Sequence, residues 1–264
     1  MTDELIHYEV EGQIATVTLD NPPLNVFNLA MAPQLDAALD QAEADQGVRA
    51  VIVTAAGDRA FCAGSDIAEF DELMEPGAVI PRKLGRQYEV FSRLDEFPKP
   101  TVAALVGIVY GGGVEIAVCC DILVADEKAR FASPEIKLGV FPGSGGPVRV
   151  TRRVGEGRAR ELMYLAEPIS AAEAREWGLV NRVAPAGEAM AMAREVGGTL
   201  CERPPRALRY LKRAIGMSFD MDKHDALKGA LTLSDLAFSS PECKEGVAAF
   251  REKRQAEFPP DPLD

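Results

Sequence analysis

The sequence predicts an α/β protein whose strands pair in parallel. Strand-like runs at residues 14–19 and 49–54 flank a helical stretch, and strand, helix, strand in one sheet is a crossover that pairs the strands in parallel. Residues 49–54 are nearly all apolar, the pattern of a strand covered on both faces. Further along, the apolar run 102–108 meets three consecutive glycines and then an apolar, helix-capable stretch, which places a bare-backbone turn between strand and helix.

Taken in order, residues 5–10 and 14–19 read as a hairpin turning at Glu11-Gly12, stopped by Asp20-Asn21-Pro22-Pro23. Asn28 can cap a helix that runs to about residue 44 with Leu35, Ala38 and Leu39 on one face, and Gly47 closes it. The strand at 49–54 opens into the small-residue loop 57–67. Open α/β sheets bind ligands at such carboxyl ends, although an ordinary connection has the same composition. Residues 69–82 are charged and carry Pro76-Gly77 and Pro81, which marks a mobile lid or surface segment. A helix over 84–97 ends at Pro98-Lys99-Pro100, and a strand over 101–106 follows.

The glycines Gly111-Gly112-Gly113 are the centre of the pattern. Without Cβ atoms their N–H groups can approach a ligand closely. The helix start beyond them has N–H groups with no intrahelical partner and a dipole that favours negative charge. Glu115 stands in the first helical turn among apolar neighbours. A carboxylate there suits an acid or base beside an oxyanion hole. Close packing by the glycines, with Glu115 as the dipole's partner, is the other reading. Strands at 121–125 and 129–132 lead to Ser133-Pro134-Glu135, a cap, a proline and a carboxylate that together start a helix. A second glycine-rich loop, 139–147, comes next. Two carboxylates therefore each adjoin a glycine-rich turn, and paired carboxylates facing one cleft are an acid–base device.

From residue 156 the pattern is helical. Ser170–Glu173 forms a capping box before a helix stopped by Gly178, and 179–183 suits one last strand. Helices at 188–200, 204–215, 222–238 and 241–258 complete the chain. The shift in pattern divides it into a core, 1–185, and a helical region, 186–264, expected to pack on the core and on neighbouring subunits.

At 264 residues, 47% hydrophobic and 27% charged, the chain can bury a large core without disulfides or metal. A net charge of −12 argues against a nucleic-acid partner, and an anionic substrate would need local cations. The five cysteines form no C-x-x-C pair, as expected of buried thiols in a reducing compartment. His7 and His224 lie far apart, so neither a histidine metal site nor a Ser-His triad has support. The acidic N-terminus has no signal-peptide pattern and no run is long enough to span a bilayer; a cytoplasmic protein with no membrane partner is expected.

Three motifs, Ala60-Phe61-Cys62-Ala63-Gly64-Ser65-Asp66-Ile67, Gly111-Gly112-Gly113-Val114-Glu115-Ile116-Ala117, and Phe131 to Gly139 running on to Gly146, resemble those of the enoyl-CoA hydratase/isomerase (crotonase) superfamily. The stretch 245–254 is similar to that family's closing helix. The resemblance covers almost the whole chain. It implies an α/β spiral of ββα units with a C-terminal helical trimerisation region, assembled as a homotrimer or as a hexamer of two trimers. It implies an acyl-CoA thioester as substrate, with coenzyme A part of that substrate, no separate cofactor and no metal.

The resemblance also assigns roles. The backbone N–H groups of Ser65 and Gly112 would form the oxyanion hole for the thioester oxygen. Glu115 and Glu135 would be the catalytic acids, holding a water that Gly143 helps to position. Arg59 would lie near the coenzyme A phosphates, and Ala63, Asp66, Ile67 and Ala68 would bind its adenine and pantetheine. Phe250 and Lys253 would reach the nucleotide end from a neighbouring subunit. Tyr110, Phe141 and Pro147 would line the acyl pocket. The family's Thr-Gln-Arg after the second glycine loop is here Pro147-Val148-Arg149, and Tyr110 replaces a smaller aliphatic residue, so the pocket departs from the pattern. Both acids together imply hydration of a trans-2-enoyl-CoA to a 3-hydroxyacyl-CoA. A 3,2-enoyl-CoA isomerase, needing one proton shuttle near Glu135, and a non-catalytic CoA-thioester-binding protein are the alternatives.

Overall fold

The computed structural model describes residues 4–261. Strands β1 (Ile6–Glu11) and β2 (Ile14–Leu19) form the expected antiparallel hairpin, with Ile6 opposite Leu19. Helix α1 (Met31–Ala44) buries Met31, Leu35, Ala38, Leu39 and Ala42, the stripe that 3.6-residue periodicity presents to a core. Asn28 Oδ1 accepts from the Ala30 and Met31 N–H groups and so satisfies the first turn. Strand β3 (Ala50–Ala55) then pairs with β2 in parallel along its whole length.

From here the chain repeats one move three times. A strand in a large sheet is followed by a three-residue strand in a small sheet, and then by a helical segment. The first turn is β3, β4 (Ala60–Cys62) and α2 (Gly85–Asp95). The second is β5 (Thr101–Leu105), β6 (Ile108–Tyr110) and α3 (Gly112–Ala117). The third is β7 (Ile122–Asp126), β8 (Arg130–Ala132) and a 3-10 turn over Pro134–Leu138. Helices α4 (Gly146–Val154) and α5 (Glu156–Leu165) follow, then β9 (Ile169–Ser170), α6 (Ala171–Trp177) and β10 (Arg182–Ala184). The large sheet runs β1-β2-β3-β5-β7-β10 and the small one β4-β6-β8-β9. This is the α/β spiral of ββα units.

Burial explains why β3 is apolar throughout. Val51 and Val53 point into the main core with α1 and α2, while Ile52 faces a second cluster with Val102, Ala104 and Val124. Helix α7 (Ala189–Cys201) covers that second face with Ala189, Ala193 and Val196. Helices α8 (Pro205–Asp220), α9 (Lys223–Phe238) and α10 (Pro241–Glu252) follow, α8 and α9 packing on each other. They leave Leu211, Ile215, Phe219, Leu227, Leu231 and Phe238 exposed.

Three local expectations change. The run 102–108 is two strands, because Gly107 takes φ +55° and turns the chain from one sheet into the other. Helix begins at Gly146 rather than at residue 156. The helix expected from Ser133-Pro134-Glu135 is a 3-10 turn to which Ser133 gives no side-chain cap. Residues 69–82 lie largely at the surface, with a 3-10 turn over Asp71–Leu73, and Lys83, 3% exposed, pairs with Glu69 at 3.0 Å. Among the described residues no helix is long and apolar enough to cross a membrane, and the five cysteines are free.

Candidate active site

The small sheet builds the site. Its strands β4, β6 and β8 are adjacent and parallel, with Ala60 opposite Ile108 and Val109 opposite Phe131. Their carboxyl ends run directly into Gly64-Ser65, Gly111-Gly112 and Ser133-Pro134-Glu135. Three motifs far apart in sequence are thus delivered side by side by nine residues of sheet.

Gly64 and Ser65 are held against Phe27, whose N–H donates to Gly64 O while Asp66 N–H donates to Phe27 O. That bridge leaves the Ser65 N–H outside the ladder. Gly112 opens α3, where amides have no intrahelical acceptor. Among the described residues neither amide has a hydrogen-bond partner. The two are close: a Cβ built on Gly112 would lie 3.6 Å from Ser65 N. Two unpaired N–H groups this close are of the kind that can hold a carbonyl oxygen gaining negative charge.

The two acids come from the elements next to these amides. Glu115 is 5% exposed, in the first turn of α3. Its Oε1 accepts from the N–H groups of Ser144 and Gly146, each at 2.8 Å. Burial raises its pKa; those two bonds and the Arg149 charge pull the other way. Glu135 comes from the opposite side. A Cβ on Gly111 would sit 2.9 Å from Glu135 Oε1, so glycine at φ +52° is what admits that carboxyl to the corner. Both Glu135 oxygens are buried and have no hydrogen-bond partner among the described residues. Burial, reinforced by the neighbouring Glu115 charge, raises this acid to about 7. Burial thus raises both carboxyls, with two backbone donors and a cation opposing the rise at Glu115 and the Glu115 charge adding to it at Glu135.

The remaining residues singled out by sequence spread outward. Gly143 lies under Leu84, whose methyl carbons would be 3.0 and 3.1 Å from an added Cβ, and adjoins Ser144. Tyr110 is half-buried, whereas Pro147 is exposed and Phe141 is 71% exposed. Arg59 is exposed at the mouth of the loop. The Ala63 N–H is spent on Leu24 O, and Asp66 Oδ1 caps a 3-10 turn by accepting from Ala68 N–H, beside the exposed Ile67. Phe250, 86% exposed, stands on α10, which packs against α9, and Lys253 caps that helix just past its end; neither side chain has a hydrogen bond or ion pair among the described residues. Sequence reading missed Ser144 and Gly146 as the donors to Glu115. Their only signal was the glycine-rich loop itself, because a backbone donor has no residue type.

The family model for enoyl-CoA hydratase/isomerase matches residues 9–260. The chain belongs to this family. A short-chain-enoyl-CoA hydratase of Clostridium acetobutylicum is 39% identical over 251 residues, covering 94% of this chain and 95% of its own. A crotonyl-CoA hydratase of Syntrophomonas wolfei is 36% identical over 261 residues, 98% of this chain and 99% of its own. The crystal structure of an enoyl-CoA hydratase from Bacillus anthracis superposes with a TM-score of 0.91 at 31% identity, covering 97% of this chain and all of that one. The enzyme class that goes with this membership and these relatives is that of an enoyl-CoA hydratase.

Proposed function

We propose that this enoyl-CoA hydratase family member adds water across the double bond of a trans-2-enoyl-CoA, with Glu115 and Glu135 as the acid–base pair. The observation that carries the reading is the meeting of two buried carboxyls, neighbours in charge, with two unpaired amides on the adjoining turns. The thioester oxygen accepts from the Ser65 and Gly112 N–H groups. Water between the acids attacks Cβ as Glu115 takes its proton, and the double-bond electrons move onto the thioester oxygen. The resulting enolate collapses as Glu135 delivers a proton to Cα. The pair starts and ends with one proton, and the product is the 3-hydroxyacyl thioester. Losing one oxyanion donor of this kind in other enzymes costs roughly 3–4 kcal/mol of barrier. The Ser65 side chain takes no part.

The local cations Arg59 and Lys253 suit the coenzyme A phosphates against a net charge of −12. Tyr110, Phe141 and Pro147 would face the acyl chain, and Gly143 the water. The test is consumption of crotonyl-CoA, read as loss of the conjugated thioester absorbance. Hydration is expected in the wild type, with Glu115→Gln and Glu135→Gln each slowed by roughly 10²–10⁴-fold while thioester binding survives. Wild-type turnover in either variant removes that residue from the mechanism. Conversion of a 3-enoyl-CoA in deuterated water without net hydration would replace hydratase by isomerase. Binding without turnover of either ester would leave a CoA-ester-binding protein.

A further inference from the structure

We infer that Arg149, anchored on α2, is a positioning residue for Glu115; the inference rests on the hydratase reading. Glu115 Oε1 is held only by amides, those of Ser144 and Gly146, so its orientation depends on what fixes their loop. Arg149, one turn into α4, is the fixing element. Its Nη1 donates to Ser144 O at 3.0 Å, its Nε to Asp95 Oδ2 at 2.8 Å, and its Nη2 to Ser92 Oγ at 3.0 Å. Asp95 and Ser92 belong to α2, so a rigid guanidinium fork ties the loop carbonyl to a helix already packed in the core. Ser144 Oγ donates to Gln87 Oε1 of the same helix at 2.8 Å, both residues being buried. Every polar group of Ser144 is therefore committed: N–H to Glu115, C=O to Arg149, hydroxyl to Gln87.

Gly145, between the two donor amides, carries a second trace of the arrangement. At φ +107° an added Cβ would fall 2.1 Å from Arg149 Nη1, so the loop is shaped around that guanidinium. The side chains at Pro147 and Val148 offer no polar group to share the task. The charged groups around Glu115 are Arg149 and its partner Asp95, and Glu135 on the far side; Cys62 and Cys119 are held as thiols by burial, Cys62 up to about 12. Arg149 is the one cation among them.

Three variants test this: Arg149→Met removes charge and fork, Arg149→Lys keeps the charge alone, and Asp95→Asn loosens the anchor. For Arg149→Met, kcat on crotonyl-CoA should fall roughly 10²-fold, the cost of a small misplacement, with KM moved less than about threefold. The acid limb of its kcat profile should move up by about one pH unit, because a buried Glu115 loses the groups that favour its ionised form. Arg149→Lys and Asp95→Asn should fall between this variant and the wild type in both readouts. Carbon-13 carboxyl titration, with the Glu115 resonance assigned through Glu115→Gln, should show the same upward move without any turnover. A folded Arg149→Met enzyme with an unmoved acid limb and an unmoved Glu115 titration overturns the inference, even if its melting temperature drops. If Arg149→Met does not fold, the other two variants decide on the same criteria. If the wild type hydrates no enoyl-CoA, the hydratase reading fails, and the titration alone then decides whether Arg149 governs Glu115.

Discussion

Glu135 brings two carboxyl oxygens into the interior with nothing among the described residues donating to either. Ionising it there is costly, which is why its proton is held up to about 7. In the proposed hydration Glu135 donates to Cα and must be protonated in the free enzyme. Hydration kcat/KM is therefore expected to fall as pH rises through about 7, a limb that belongs to the coupled pair rather than to one acid and that a pH–rate series would read. The same burial has a sign for stability. A folded-state pKa above the unfolded one contributes stability below the usual carboxyl range, and that contribution is lost as pH rises through about 7. Glu135→Gln, which cannot ionise, should be more stable than the wild type at pH 8 by of order 1–3 kcal/mol and little different near pH 5. Calorimetric melting at the two pH values checks it; equal offsets at both would refute the buried-acid account.

At the scale of elements, the corner that brings Glu115 and Glu135 together depends on how closely α3 approaches β4. A Cβ on Gly113 would lie 2.2 Å from Cys62 O, a backbone atom that cannot step aside. Gly113→Ala should cost about 3 kcal/mol or more, or prevent folding. Gly198, in α7, has nothing within 4 Å of the same added carbon, so Gly198→Ala should stabilise by roughly 0.5–1 kcal/mol through helix propensity. Urea titration of both variants distinguishes the two cases. The same contrast explains what was legible beforehand. The hairpin, α1, the parallel pairing of β2 with β3 and the Ser170–Glu173 capping box were visible because periodicity and caps are properties of side chains. The passage from β5 to β6 was not, because residues 102–108 are apolar without interruption and the turn lies in the φ of Gly107. The start of α4 was hidden by Gly145-Gly146-Pro147, which reads as loop. Glu115 and Glu135 stood out in the sequence by chemistry, each beside its glycines; the amides that orient Glu115 could not.

For the whole molecule, the apolar side chains left on α8 and α9 are the conspicuous feature. Leu231 is 72% and Phe238 74% exposed, with Leu211, Ile215, Phe219 and Leu227 nearby in sequence. Surfaces of this kind mark protein contacts, and the family resemblance implies a trimer or hexamer. Sedimentation is expected to give a mass of three or six chains of 28.4 kDa, and Leu231→Asp to shift it downward. A 28.4 kDa species at micromolar concentration would refute assembly through this face.

The small sheet has one more implication. Neighbouring strands are spaced about 4.8 Å apart wherever backbone pairs with backbone. The Ser65 and Gly112 amides of the proposed hydration hang just beyond the tips of β4 and β6, so backbone pairing brings their two turns together. In that reading the grip on the thioester would be a ruler cut by the polypeptide itself. Replacing an acid, an acyl wall or a phosphate contact would then change the chemistry or the substrate while leaving that measure in place, since it is not written in any side chain.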